Sequence, residues 1–166
     1  MSNNLNNSIR LILLIFFSIL SSCSTTPKGL QRPGEAEAYL YRGYEFALKG
    51  EHDQAISEYT RALEINRRYV DAYNNRGLSY ASKGQYDNAV SDYNKALKIN
   101  SRYIEAYNNR GNAYLNKGQY DHAISDYNKF LKINSGNAVG YHNRGVAYMA
   151  KTSMIRPSLT SAKRFS

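Results

Sequence analysis

Residues 71–77 read DAYNNRG, from Asp71 to Gly77, and residues 105–111 read EAYNNRG, from Glu105 to Gly111. Working outward, QYDNAVSDY at Gln85–Tyr93 returns as QYDHAISDY at Gln119–Tyr127. Gly43, Gly77, Gly111 and Gly145 stand at a constant spacing of 34 residues. A period of this length marks stacked supersecondary units, each unable to bury its apolar face alone. Such a chain builds an extended surface, which points to binding in preference to catalysis.

Within one period the pattern spells two helices. The first runs over about Asp71–Lys83, with Tyr73, Gly77 and Tyr80 at i, i+4 and i+7 on one face. Glycine in mid-helix costs about 1 kcal/mol relative to alanine, so its recurrence calls for a compensating close approach. Ala89 is the expected small residue facing it, with Ala55 and Ala123 at the same site of their units. Lys49, Lys83 and Lys117 end the first helix, where a cation favours the negative end of the dipole. Gly50, Gly84 and Gly118 follow as left-handed caps, and Asp53, Asp87 and Asp121 are expected to N-cap the second helix. That helix should bury Ala89, Tyr93, Ala96 and Leu97. The recurrent tyrosines read as core and interface packing with hydroxyls at the rim. Arg42, Arg76, Arg110 and Arg144 precede the glycines, and Glu58, Asp92 and Asp126 precede the second-helix tyrosines. These are expected to pair between the two helices of a unit.

The unit resembles the tetratricopeptide repeat, two antiparallel helices in 34 residues, over about Ala36 to Lys151. The resemblance implies an all-α, right-handed superhelical solenoid of antiparallel helix pairs. Its units would be 36–69, 70–103 and 104–137, with a partial fourth at 138–151. The linker departs from the family, which usually has Pro after the Ile-Asn pair. Here Arg67, Ser101 and Ser135 stand there, which should loosen the inter-repeat turn a little. In this family first-helix residues line the concave groove. Mapped by position, Leu40, Tyr41 and Tyr44 come from the first repeat and Asn74, Asn75 and Leu78 from the second. Asn108, Asn109 and Asn112 come from the third, His142 and Asn143 from the fourth. An apolar, aromatic end thus grades into an amide-rich middle. Asparagine carries both donor and acceptor, so a ladder of them can hold the backbone of an extended peptide; the same residues also suit a merely solvated face. The carboxylate clamp of chaperone-binding members needs Lys and Arg, which Leu40, Tyr44, Glu105 and Asn109 do not supply.

Before the repeats, Arg10 precedes an apolar stretch, Leu11–Leu20, interrupted only by Ser18. It is too short for a spanning helix, which needs about 20 apolar residues, and has the size of a secretory signal. Leu20-Ser21-Ser22-Cys23 resembles the lipobox of bacterial lipoproteins. That resemblance implies a signal peptide over 1–22, lipidation of Cys23, and a tether over 23–35 rich in Pro and Gly. Cys23 is the only cysteine of the chain. Ser24 after it resembles the pattern passed on to the outer membrane in Gram-negative bacteria. The expected location is the bacterial cell envelope, with the chain lipid-anchored.

The net charge is +9 over 166 residues, and removing 1–22 leaves +8. Three more cations, Arg156, Lys163 and Arg164, lie in the tail, and the others alternate with acids along the repeats. This reads as a solvated face and argues against a nucleic-acid partner. The histidines (His52, His122, His142) fall at different repeat positions, and no metal-ligand spacing, phosphate loop or nucleophile elbow occurs. Neither metal nor cofactor is expected. At 152–166 the pattern breaks: Thr152 replaces the turn glycine, and Pro157 stands where the second helix needs alanine. Permitted codons for Thr152–Lys163, read one frame away, spell KYDKAISDFSK, another second helix of this type. A shifted frame would leave apolar surface around Tyr141 and Tyr148 exposed.

The expected function is that of a non-catalytic adaptor or scaffold, membrane-anchored, holding a partner protein or extended peptide. The alternatives are an envelope enzyme or glycan-binding protein using the Tyr- and Asn-lined groove, or a truncated product without function. Oligomeric state does not follow from the sequence.

Overall fold

A computed structural model describes residues 33–155. The leader, Cys23, the tether before Pro33 and the tail beyond Ile155 lie outside them. Seven helices follow one another among the described residues, with no strand. They are α1 (Pro33–Leu48), α2 (His52–Ile65), α3 (Val70–Ser82), α4 (Tyr86–Ile99), α5 (Ile104–Asn116), α6 (Tyr120–Ile133) and α7 (Ala138–Ile155). Consecutive helices pack as hairpins, and α1 also touches α3, α3 touches α5 and α5 touches α7. Among the described residues no helix reaches further along the stack, which is the nearest-neighbour architecture of a solenoid.

The hairpin turn is built by its glycine. Gly84 has φ +72°, the left-handed conformation closed to most side chains. Its N–H donates to the Ala81 carbonyl at 2.9 Å, and the Gln85 N–H donates to the Tyr80 carbonyl at 2.9 Å. This crossed pair is a Schellman motif, and Gly50 and Gly118 repeat it. The second helices start differently from the expectation. Gln85, not Asp87, is the N-cap of α4, and its side chain makes no capping bond. Asp53, Asp87 and Asp121 lie within the first turns of their helices, facing onward. Each pairs with a lysine of the next repeat: Asp53 with Lys83, Asp87 with Lys117, Asp121 with Lys151. The acidic residues therefore join neighbouring repeats.

Where Pro was expected in the linker, a side-chain device stands instead. The Arg68 N–H donates to Asn66 Oδ1 and the Arg102 N–H to Asn100 Oδ1, both at 3.0 Å. This Asx geometry holds the turn that Pro would stiffen. At the third linker Asn137 caps α7, its Oδ1 accepting from the Gly140 N–H at 2.9 Å.

The mid-helix glycines have a different opposite number from the one expected. A Cβ built on Gly77 would stand 2.7 Å from the ring of Tyr93; on Gly43 it would meet Tyr59 at 2.6 Å, and on Gly111 Tyr127 at 2.7 Å. The close approach is a tyrosine ring lying flat on the glycine, while Ala55, Ala89 and Ala123 are fully buried elsewhere on the same helices. Ala89, Tyr93, Ala96 and Leu97 form one core cluster with Ala106 and Ala113 of α5. The seam between repeats there is alanine on alanine, and Ala62 and Ala72 make the preceding one. The last seam is built otherwise: Phe130 replaces the first alanine and Gly140 the second. A Cβ on Gly140 would approach Phe130 to 2.6 Å.

Two boundaries differ from the sequence reading. Pro33 opens α1, three residues before the expected start, at the first helical position that proline favours. At the other end α7 continues through Thr152 to Ile155, since no glycine stops it at the point where the other first helices turn. Tyr141, Tyr148 and Met149 are exposed on it, by 49%, 48% and 65%.

Candidate functional site

The arginines expected to pair do so. Arg76 donates from Nε to Asp92 Oδ2 at 2.7 Å and from Nη2 to Oδ1 at 2.8 Å. Arg110 grips Asp126 in the same fork at 2.7 and 2.6 Å, and Arg42 holds Glu58 by one bond at 2.7 Å. Glu58, Asp92 and Asp126 are buried. Burial alone would lower Arg76 and Arg110, but the bonds to their aspartates outweigh it and hold both guanidiniums above their ordinary range. The remaining nitrogen was not foreseen. Nη1 of Arg76, Arg110 and Arg144 donates backward, to Thr60, Asn94 and Asn128 of the preceding repeat. Those three residues recur every 34 positions, a signal that was present in the sequence. Arg76 and Arg110 are structural ties, and their forks are filled.

The residues mapped to the groove fall into three settings. Tyr41, Tyr44, Leu78 and His142 are exposed, while Leu40, Asn75, Asn108, Asn109, Asn112 and Asn143 are half-buried. Asn74 is buried, and so does not line the groove. Its Nδ2 donates to Asn75 Oδ1 at 3.3 Å, and its Oδ1 accepts from Asn109 Nδ2 at 3.0 Å. One repeat on, Asn143 Nδ2 donates to Asn108 Oδ1 and Asn112 Oδ1, both at 3.3 Å. The amides thus bridge α3 to α5 and α5 to α7. Leu40 cannot take part, so the ladder starts at the second repeat. Each amide nitrogen carries two protons. Asn75 spends only its oxygen here, and Asn109 one N–H.

Beside the ladder lie two cavities, of about 290 and about 250 Å³. The first is enclosed by α1, α2 and α3, with Tyr44, Leu48, His52, Tyr59, Asn75 and Leu78 among its walls. The second is enclosed by α3, α4 and α5, with Leu78, Ser82, Tyr86, Tyr93, Asn109 and Asn112. Every residue of the second lies 34 positions after a residue of the first. They occupy equivalent places in successive repeats, and Leu78 with Ser82 forms the wall between. Neither is lined by Lys or Arg.

The buried tyrosines of α4 and α6 differ in their bonding. Tyr127 donates to Asn112 Oδ1 at 2.7 Å. The Tyr93 hydroxyl is buried with no partner, because Leu78 stands where Asn112 stands one repeat later. Burial, and then the charge of Asp126, pushes Tyr127 up to about 12. Burial followed by Tyr44 does the same to Tyr59. Among the described residues no group of His, Cys, Asp and Glu could hold a metal ion, and no helix is long and apolar enough to cross a membrane.

A family model described as TPR repeat matches residues 43–84 and 77–118, and one described as Tetratricopeptide repeat matches 104–137. None of the curated proteins matches the sequence. Among solved structures, the first TPR of Spaghetti (RPAP3) bound to the HSP90 peptide SRMEEVD is 24% identical, with TM-score 0.72. The match covers 75% of this chain and 99% of that one. The first TPR domain of human RPAP3 is 25% identical, with TM-score 0.72 and coverage of 74% and 96%. The Sgt2 TPR domain from Aspergillus fumigatus is 21% identical, again with TM-score 0.72, covering 80% and 89%.

Proposed function

The chain belongs to the tetratricopeptide-repeat family, and from that premise we propose that it is a non-catalytic adaptor. It holds an extended segment of a partner protein against the face made by α1, α3, α5 and α7. The observation that carries this reading is the pair of equivalently placed cavities beside an amide ladder that keeps N–H groups to spare. An extended backbone has unsatisfied donors and acceptors along its length, and asparagine answers both. The solved neighbour carrying the peptide SRMEEVD supports peptide recognition on this fold. The mode differs here, since cations are missing from both cavities.

The test is capture of partners from an envelope extract on the full chain, beside the variant Tyr44→Ala plus Asn75→Ala. Tyr44 is exposed and Asn75 gives no N–H to its neighbours, so the fold should survive. Proteins held by the native chain and lost by the variant support the adaptor. Equal retention by both, or retention of glycan alone, overturns it.

The adaptor is proposed to act at the bacterial envelope, tethered through acylated Cys23. The lipobox-like Leu20–Cys23 and the single cysteine support this, and more than one acyl chain gives stable anchoring. Labelled palmitate should enter the native chain and not Cys23→Ala; equal labelling, or none, removes the anchor. Residence at the outer membrane is read from Ser24 and is checked by fractionating the two membranes.

A further inference from the structure

The twin cavities set a ruler for the ligand. Asn109 reaches Asn74 directly, and two such short side chains meet only between helices packed at the ordinary interaxial distance of about 8–10 Å. The cavities therefore repeat at about that interval along the α1, α3, α5 direction. A β-strand presents same-face side chains about 6.7 Å or about 13 Å apart, at i+2 and i+4. Neither matches. A polyproline II helix has three residues per turn and rises about 3.1 Å per residue, so positions i and i+3 share a face about 9 Å apart. That fits.

The chemistry of the walls agrees with the spacing. Polyproline II makes no internal hydrogen bonds and leaves its carbonyls outward, where the spare N–H groups of Asn75 and Asn109 can reach them. Tyr44, 52% exposed, lines the first cavity, and Tyr86 lines the second. Aromatic walls are the general means by which preformed, low-entropy proline segments are held. With no Lys or Arg on either cavity, a carboxylate would enter without a counter-charge and lose its hydration.

We propose that the groove takes an uncharged, proline-rich segment in polyproline II conformation, seating residues i and i+3 in the two cavities. This rests on the peptide-groove reading above and sharpens it. Leu78 is the hinge of the arrangement because it walls both seats.

The experiment titrates the full chain with three end-capped probes: decaproline, a neutral Gly-Ser decamer, and the acidic peptide SRMEEVD. Each titration is repeated on Leu78→Arg, and on Tyr44→Ala and Tyr86→Ala, which each alter a single seat. Leu78 is 42% exposed, so the arginine stem can lie where leucine lay, and circular dichroism checks the fold. Decaproline should bind saturably, weaken on the order of tenfold with Leu78→Arg, and weaken less with either tyrosine variant. If the Gly-Ser decamer or SRMEEVD binds as tightly and with the same Leu78 dependence, the groove stands and the polyproline proposal falls. If Leu78→Arg changes the binding of none of the probes, the proposal falls too. The peptide-groove reading is then decided by the capture experiment, which uses no proline probe.

Discussion

At the scale of single residues, the decisive contacts are those between a tyrosine and what lies opposite it. Tyr59, Tyr93 and Tyr127 are fully buried on their glycines, yet only Tyr127 and Tyr93 can be contrasted cleanly, because Asn112 and Leu78 occupy the same site. Tyr127→Phe leaves Asn112 with one partner fewer and should cost about 1 kcal/mol. Tyr93→Phe removes a hydroxyl that bonds to nothing and should be neutral within about 0.5 kcal/mol, or stabilising. Urea unfolding of the two variants checks this; an equal loss for both would mean that Tyr93 has a partner in solution. The same rings make the fold sensitive to alkali. Free tyrosine ionises near 10, whereas Tyr59 and Tyr127 are pushed up to about 12 by burial. The folded state thus holds these protons more tightly, and the stability they contribute is intact below pH 10 and lost as pH rises toward 12. Phenolate absorbance should show a late phase that coincides with loss of helix. One smooth rise with helix retained would contradict it. The sequence disclosed that the glycines needed a close neighbour. It did not disclose which, because alanine and tyrosine both recur every 34 residues and spacing alone cannot rank them.

At the scale of elements, helix type and turn chemistry were legible, since the first helices of the three complete repeats end in Lys-Gly and glycine alone fits the Schellman turn at φ near +72°. The caps of the second helices were not. Aspartate is a good N-cap by propensity, but here the next repeat's lysine competes for it, and that lysine lies 30 residues away. Local rules fail where a longer-range partner wins. The last inter-repeat seam carries a sharper expectation. Ala62 against Ala72 and Ala96 against Ala106 give way to Phe130 against Gly140, a large residue matched to a vacant Cβ. Gly140→Ala should overpack the seam and cost about 1–3 kcal/mol, despite alanine's better helix propensity. Phe130→Ala should cost about 3–5 kcal/mol by leaving a cavity. The double variant rebuilds the alanine seam of the other repeats, so its loss should fall below the sum of the two by more than about 0.5 kcal/mol. Simple additivity in a thermal or denaturant cycle would show that the two sites do not share one space.

At the scale of the whole molecule, stability is a chain of neighbour terms. Arg76 and Arg110 each tie their own second helix through an aspartate fork and the preceding one through Nη1, Lys83, Lys117 and Lys151 each reach back one repeat, and the amide ladder does the same on the groove face. The periodicity announced this stack and its register, and the Asn ladder was readable as a run of amides. That Asn74 would be buried as a strut, leaving Asn75 as the outward donor, depends on how far the helices rotate against each other, which composition does not encode. In such a stack, opening starts at the ends and spreads inward. The largest core cluster sits between α4 and α5, flanked on both sides. α7 packs on α6 and α5 and leaves Tyr141, Tyr148, Met149 and Met154 exposed by 48% or more. Native-state hydrogen exchange should therefore be graded. Amides of α4 and α5 should approach the free energy of global unfolding, whereas those of α7 should exchange by local opening at least about tenfold faster. A partner that covers α7 would raise its protection without changing α4; a ligand seated between α1 and α5 would raise the α3 and α5 amides first. Uniform protection from α1 to α7 would mean that the chain unfolds in one step, and that the arginine ties couple the repeats more strongly than neighbour contacts alone provide.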